Sequence, residues 1–511
     1  MDIRRLRIGI ACVLGAVGCS IPAQAMRELP DTLYTSVADI EYHIEVLDTV
    51  TSPLLSGVDD LYLDAPGIFT FRGSPYRDMT HSGTLDSIPT RIERVWVFRT
   101  DYDDRETDYG VWGGGSGWTG QPVYVEWSEE LQQKQRRSSK ALTSAFGSRE
   151  IIVGSLCGNV YFIDYESGRA SRREFVGKNP IKGSVSLDPR LNGNLYVGQG
   201  IPSEDNKIGA VVYNIFTHEP ISYYGRDPEA WRRWGAYDAS AVVVDDFVLR
   251  PSENGTIYKL KVEADRVAIH SKMRYRRKGK GAAGIESSPV VYKDYLYTAD
   301  NHGNILCTNI NTLKPVWCFD NMDDIDATMV LAEEEECGVV LYVGSELDKR
   351  GSSGYCYFTK LNALTGELIW QNKIKCRKMG SDEKPVDGGM FSTPLLGDGN
   401  CEGLIFTNIC GMGSSDLGTF VAIDRLTGEI VYKTRLNNYA WSSPVAFYAP
   451  GERMYVFTGD VVGNAYLIDA ETGRIIFRRT MANNFESSPV VVDNSVVVGS
   501  RGREIYRFRI L

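Results

Sequence analysis

The chain has 511 residues, of which 43% are hydrophobic and 24% charged, the balance of an ordinary globular protein. Its 51 glycines and 28 tyrosines point to many turns and many strands. A formal net charge of −10 excludes the basic surface that phosphate contact requires, so no nucleic acid is expected as a partner.

Residues 1–25 read as an export signal: "MDIRRLR" is basic, "IGIACVLGAVG" is a short apolar core, and "AQA" before Met26 fits small-x-small cleavage. The core is too short to span a bilayer. "AVGCS" loosely resembles a lipobox that would place a lipid, and so a membrane attachment, on Cys19. Ala16 stands where such boxes usually carry leucine, so cleavage after Ala25 is preferred. Either route places the protein in the periplasm or cell envelope. Residues 26–90 precede the repeats described below; within them 26–68, including "VADIEYHIEVLDTV", match no repeat and are expected to form a short arm. The segment "FTFRGSPYRDMTHSG" follows from Phe69, then a lone strand, "RIERVWVFRT", over 91–100.

Next comes "VWGGGSGWTG" from Val111, glycine-rich but without the strand-to-helix pattern of a phosphate cradle. It reads as a loop offering Trp112 and Trp118 as contacts. "EELQQKQRRSSKALTSAFGSRE" from Glu129 reads as a polar, mobile insertion. "KMRYRRKGKG" from Lys272 reads as a solvated loop, with an anionic partner as the sharper alternative.

From about residue 90 onward the chain is organised by a repeat. Its clearest copies begin "ESSPVVYKDYLYTADNHGNILCTNINTLKPVW" at Glu286, "WSSPVAFYAPGERMYVFTGDVVGNAYLIDAETGRIIF" at Trp441 and "ESSPVVVDNSVVVGSRGREIYRF" at Glu486. Each runs small-small-proline, strand, polar turn, strand, glycine turn, strand, and the first two add a fourth strand. Looser copies start at Thr119, Lys182, Asp238, Asp326 and Phe391, making eight starts. Glycine supplies the positive φ of the tight turns, and alternating aromatic and β-branched residues suit strands packed face to face. Eight four-stranded antiparallel units describe an all-β, eight-bladed β-propeller over 91–511, at about 53 residues per blade. The last unit has three strands, while the strand at 91–100 has no opening of its own. Its Trp96 stands where Trp317 and Trp370 stand in other fourth strands, so it is expected to complete the eighth blade and close the ring.

"NAYLIDAETGRIIF", "FVAIDRLTGEIVY" and "YFTKLNALTGELIW" resemble the PQQ-type repeat of the quinoprotein-like eight-bladed propellers, and the segment from Phe69 resembles the lead-in of many such proteins. The resemblance covers 69–511 and implies the fold. For function it implies two classes, PQQ-dependent alcohol dehydrogenases and non-enzymatic scaffolds such as the outer-membrane assembly lipoprotein BamB. The dehydrogenases hold PQQ with a Cys-Cys pair and a tryptophan platform, beside a calcium bound by Glu and Asn and a catalytic Asp. This chain has no Cys-Cys dipeptide and no compact match to that cluster.

The residue before each small-small-proline opening begins an innermost strand, so Thr119, Lys182, Asp238, Glu286, Asp326, Phe391, Trp441 and Glu486 are expected to ring the channel mouth. Such a ring would attract a cation, a small ligand or a basic peptide segment. Eight cysteines follow the signal, and Cys307 with Cys318 is the expected disulfide. No C-x-x-C pair and only five histidines argue against zinc. The expected function is a monomeric, non-catalytic envelope scaffold for protein partners, without cofactor. The alternatives are a PQQ- and calcium-dependent dehydrogenase, and a carbohydrate-binding or carbohydrate-cleaving propeller.

Overall fold

A computed structural model describes residues 34–49, 54–55, 61–79, 82–117, 120–201, 208–263, 265–381, 384–413 and 417–511. The signal segment, Cys19, Trp118 and Thr119 lie outside the described residues. Eight antiparallel sheets follow one another around a ring. Their innermost strands are Val123–Glu126, Ser186–Leu187, Val242–Val244, Val290–Tyr292, Val330–Glu334, Leu395–Leu396, Val445–Ala449 and Val490–Val492, one for each of blades 1 to 8.

Two repeat features gain a physical reason. The second small residue of each opening carries a hydroxyl that binds the preceding blade. Ser240 N–H donates to Ser288 Oγ (3.0 Å), Ser288 to Thr328 (2.9 Å), Thr328 to Thr393 (3.2 Å), Thr393 to Ser443 (3.0 Å) and Ser443 to Ser488 (3.2 Å). Blade 1 has Gln121 at this position, and Ser488 N–H turns instead to the Gly120 carbonyl at 3.2 Å. The glycine of the "TG" turns is required twice over. Gly366 and Gly428 have φ of 74°, and a Cβ on either would meet the ring of Trp317 or Trp370 of the preceding blade within 2.7 Å. Each indole N–H then donates to a carbonyl of that next blade, Trp317 to Ala363 and Trp370 to Arg425, both at 3.0 Å.

Ile92–Arg99 pairs antiparallel with Glu504–Ile510, Arg99 opposite Glu504 and Ile92 opposite Ile510, which completes the eighth blade. Trp96 plays the same part as its counterparts, donating to Tyr165 O at 2.8 Å and covering Gly168.

The segment from Gly67 to Thr84, by contrast, enters the ring, which its sequence did not announce. Gly67–Ile68 pairs with blade 1, Phe69 O accepts from Leu187 N–H of blade 2, and Thr70 Oγ1 donates to Ala241 O of blade 3. Pro75 and Tyr76 carbonyls accept from Val291 and Leu331 of blades 4 and 5. Arg72 donates to Pro394 O (3.0 Å) and Pro444 O (2.7 Å) of blades 6 and 7, and Arg77 to Pro289 O (2.9 Å). Gly83–Thr84 lies parallel to blade 7, and Thr84 N–H donates to Asp493 O of blade 8. The prolines that open the innermost strands lack an N–H, and three of their carbonyls serve these two buried guanidinium groups.

Four expectations need correction. "KMRYRRKGKG" is mostly strand: Val267–Arg277 is the fourth strand of blade 3, and Ile40–Val46 lines its outer edge. There Arg276 meets Glu41, while Arg274 and Lys272 meet Glu45, so alternating bases face alternating acids. The insertion contains a helix, Glu129–Ser138, capped by Ser128, whose Gln135 is buried against Arg172. The glycine-rich stretch begins as the strand Gly110–Gly114, paired with Tyr102–Thr107. Finally, the described cysteines are free thiols. Cys307 lies opposite Trp317 and Cys318 opposite Leu306, so the two thiols point to opposite faces of one sheet and join different core clusters.

Candidate functional site at the channel mouth

One end of the channel opens on a cavity of about 30 Å³, lined by Asp238, Glu286, Asp326, Phe391 and Trp441 with Phe71, Gly183, Ser184, Ser288 and Thr328. Five of the eight residues expected at the mouth therefore meet there. Lys182 stands beside them, its ammonium 2.5 Å from Asp238, 3.8 Å from Glu253 and 3.9 Å from Glu286. Gly200 leaves room for it, since a Cβ there would lie 2.7 Å from Lys182 Cε. Glu486 sits apart on blade 8, 3.6 Å from Arg501. Arg501 in turn lies over the ring of Trp112 at 5.4 Å.

Sequence reasoning missed a second set of residues. Glu253, Glu346 and Arg501 each follow a serine at the end of a second strand, in "PSE", "GSE" and "GSR", and two of them meet opening residues: Glu253 lies 3.8 Å from Lys182 and Arg501 3.6 Å from Glu486. Aligning these turns, as the openings were aligned, would have found them.

The electrostatics follow from crowding acids in a dry place. Burial opposes the charge of Lys182, but Asp238, Glu253 and Glu286 outweigh it and raise its pKa above the ordinary value. Burial and the Glu286 carboxylate push Glu253 well up, and burial with Glu286 and Asp324 does the same to Asp326. Glu346 rises through burial and the neighbouring Asp326, Asp324 and Asp387. Asp324 is pushed up to about 7, chiefly by burial, despite Lys349 at 2.7 Å.

These shifts have a sign. An acid whose pKa is higher folded than unfolded contributes stability that is full below the unfolded value of 3.8 and is lost as pH rises through about 7. Stability should therefore fall by about 1–3 kcal/mol between about pH 5 and about pH 8. Asp324→Asn should flatten that slope in calorimetric melts taken across the interval. A flat wild-type profile would mean that the Lys349 pair governs this aspartate.

The carboxylate oxygens of Asp238, Glu253 and Glu286 lie within 4.8 Å of one another, the grouping among the described residues with metal-ligand geometry. The donors are of the type calcium takes. Their shared space, however, is taken by the Lys182 ammonium, so the residues present do not fit the ion. Nor do they fit PQQ, a flat polyacid: the charged residues that line the cavity, Asp238, Glu286 and Asp326, are carboxylates and offer it no counter-charge.

Residues 416–511 match the family model described as "Outer membrane protein assembly factor BamB". No curated protein matches the chain by sequence. Among solved structures the chain is similar to a europium-containing methanol dehydrogenase, at 13% identity and TM-score 0.62 over 88% of this chain and 99% of that one. It is similar to the quinohemoprotein alcohol dehydrogenase of Comamonas testosteroni, at 14% identity and TM-score 0.60 over 88% of this chain and 82% of that one. It is also similar to BamB from Moraxella catarrhalis, at 15% identity and TM-score 0.51 over 82% of this chain and all of that one, 100%. At these identities the structural likeness is one of fold. In architecture the chain is an eight-bladed β-propeller, and its last 96 residues carry the repeat that the family model matches.

Proposed function

We propose that the protein is a non-catalytic PQQ-like propeller of the cell envelope, exported by its N-terminal signal, whose acidic mouth binds a protein partner or a small ligand. The observation that carries this reading is the filling of the channel. The chain's own segment from Gly67 to Thr84 reaches every blade, and at the mouth Lys182 is set among the carboxylates. The match of the last blades to an outer membrane protein assembly factor supports the same class. No helix among the described residues is long and apolar enough to cross a membrane.

The test is a titration of purified protein with PQQ and calcium, together and singly, followed by absorbance and by melting temperature. No saturable change is expected up to concentrations well above micromolar. Saturation that raises the melting temperature only when both are present would replace the scaffold reading with that of a dehydrogenase.

A further inference from the structure

Blade 3 carries a fifth strand, and that strand shows what an outer edge of this ring accepts. Ile40–Val46 of the N-terminal arm lies antiparallel on Val267–Arg277, with Glu45 opposite Lys272 and Glu41 opposite Arg276. Glu45 serves two bases at once, 3.2 Å from Lys272 and 2.7 Å from Arg274. Asp227 meets the same pair from the blade's own side, at 3.1 and 3.0 Å. Under this cover Lys272 and Arg274 are only 8% and 4% exposed. Two like charges on one face of a strand are held there because carboxylates answer both.

The blades can be aligned on a feature of their own ladders. In blades 2 to 8 the fourth strand slips by one residue against the third, and the residue just past the slip is Ser271 in blade 3, Trp370 in blade 5, Tyr432 in blade 6 and Trp96 in blade 8. Counted from there, Lys272 and Arg274 stand at the first and third places. Blade 6 has Lys433 and Arg435 at the same two places, whereas blades 2, 4, 5, 7 and 8 have at most one base between them. Blade 6 thus repeats the basic pair of blade 3, and it lacks the strand that covers it: Ile430–Arg435 ends its sheet. Leu436 N–H donates to Gly418 O of the neighbouring strand at 3.0 Å, so by alternation the N–H and C=O groups of Lys433 and Arg435 point away from the blade. Both side chains are exposed, as is Val431 at the slip, and among the described residues neither base makes an ion pair.

We propose that the outer edge of blade 6 takes an extended, acidic segment of a partner protein as an added antiparallel strand. The partner's backbone continues the ladder of Ile430–Arg435, and its carboxylate lies between Lys433 and Arg435 as Glu45 lies between Lys272 and Arg274. The two bases also select. A strand without acids would cover them unanswered, which keeps the edge closed to indiscriminate pairing. This surface lies across the sheet from Leu395–Leu396, the innermost strand of the blade, so it is separate from the mouth and goes beyond the reading given to it.

The probe is the acetylated and amidated peptide IEYHIEVL, the chain's own residues 40–47, with its neutral counterpart IQYHIQVL, titrated into the purified protein by calorimetry and followed by amide hydrogen exchange. The acidic peptide should bind saturably and the neutral one at least about tenfold more weakly, with the difference shrinking as salt is raised. Binding should protect the N–H groups of Lys433 and Arg435. The double variant Lys433→Gln, Arg435→Gln, whose melting curve checks that it folds, should bind both peptides equally weakly. Absence of binding, equal binding of the two peptides to the wild type, binding that survives the double substitution, or protection confined to Val267–Arg277 would each overturn the proposal. Self-association of the peptide-free protein that is lost in the double variant would also overturn it, by giving the edge to the arm of a second copy.

Discussion

Lys182→Met should lose about 3–5 kcal/mol of stability at pH 8, the typical penalty for stripping a buried charge cluster of its counter-charge. Methionine keeps the stem and the packing against Gly200 while removing the ammonium that lies within 4 Å of Asp238, Glu253 and Glu286. The loss should shrink as pH is lowered, since protonation of those acids does what the ammonium did. Adding Asp238→Asn should recover part of it, because the two residues are in contact and their effects are not additive. Urea unfolding of the wild type, both single variants and the double variant at about pH 5 and about pH 8 measures all of this. A pH-independent loss would mean that Lys182 matters for its packing and not for its charge.

Arg72→Ala should have an effect of the same size, about 3–5 kcal/mol, by a different route. The Arg72 side chain is fully buried, and its two terminal nitrogens join blades 6 and 7 to the central segment through Pro394 O and Pro444 O. Removing it leaves two carbonyls without those donors and a void at the axis. Arg72→Lys should rescue little, because a single ammonium cannot reproduce the forked geometry. Hydrogen exchange should report the damage at a distance: the N–H groups of Thr393 and Ser443, which bridge to Ser443 and Ser488, should lose protection. A variant within about 1 kcal/mol of wild type would show that the ring holds without its axial segment.

The sequence made legible whatever repeats. Eight openings gave eight blades, and the missing strand was found because Trp96 occupies a position defined by Trp317 and Trp370. The mouth was legible for the same reason: residues one step before a repeated motif share one place in each blade, and Asp238, Glu286, Asp326, Phe391 and Trp441 do converge. What occurs once was not legible. The contacts of Arg72 and Arg77 are with carbonyls hundreds of residues away, which no local pattern encodes. The basic strand Val267–Arg277 looked solvated because its neutralising acids, Glu41, Glu45 and Asp227, lie far upstream, Asp227 with three strands of the same blade in between. The pairing of Cys307 with Cys318 failed on parity: adjacency of strands is readable, but the register that sends one thiol up and the other down is not.

The union of Ile92–Arg99 with Glu504–Ile510 also sets the order of events when the protein acquires its shape. The first of these strands leaves the ribosome some four hundred residues before the second, so it must wait unpaired through nearly the whole of synthesis. The ring can be finished only at the end, by the contact most distant in sequence among the described residues, which favours slow maturation and a long-lived open precursor. The same late latch then resists reopening, giving the finished protein a durability that is kinetic in origin.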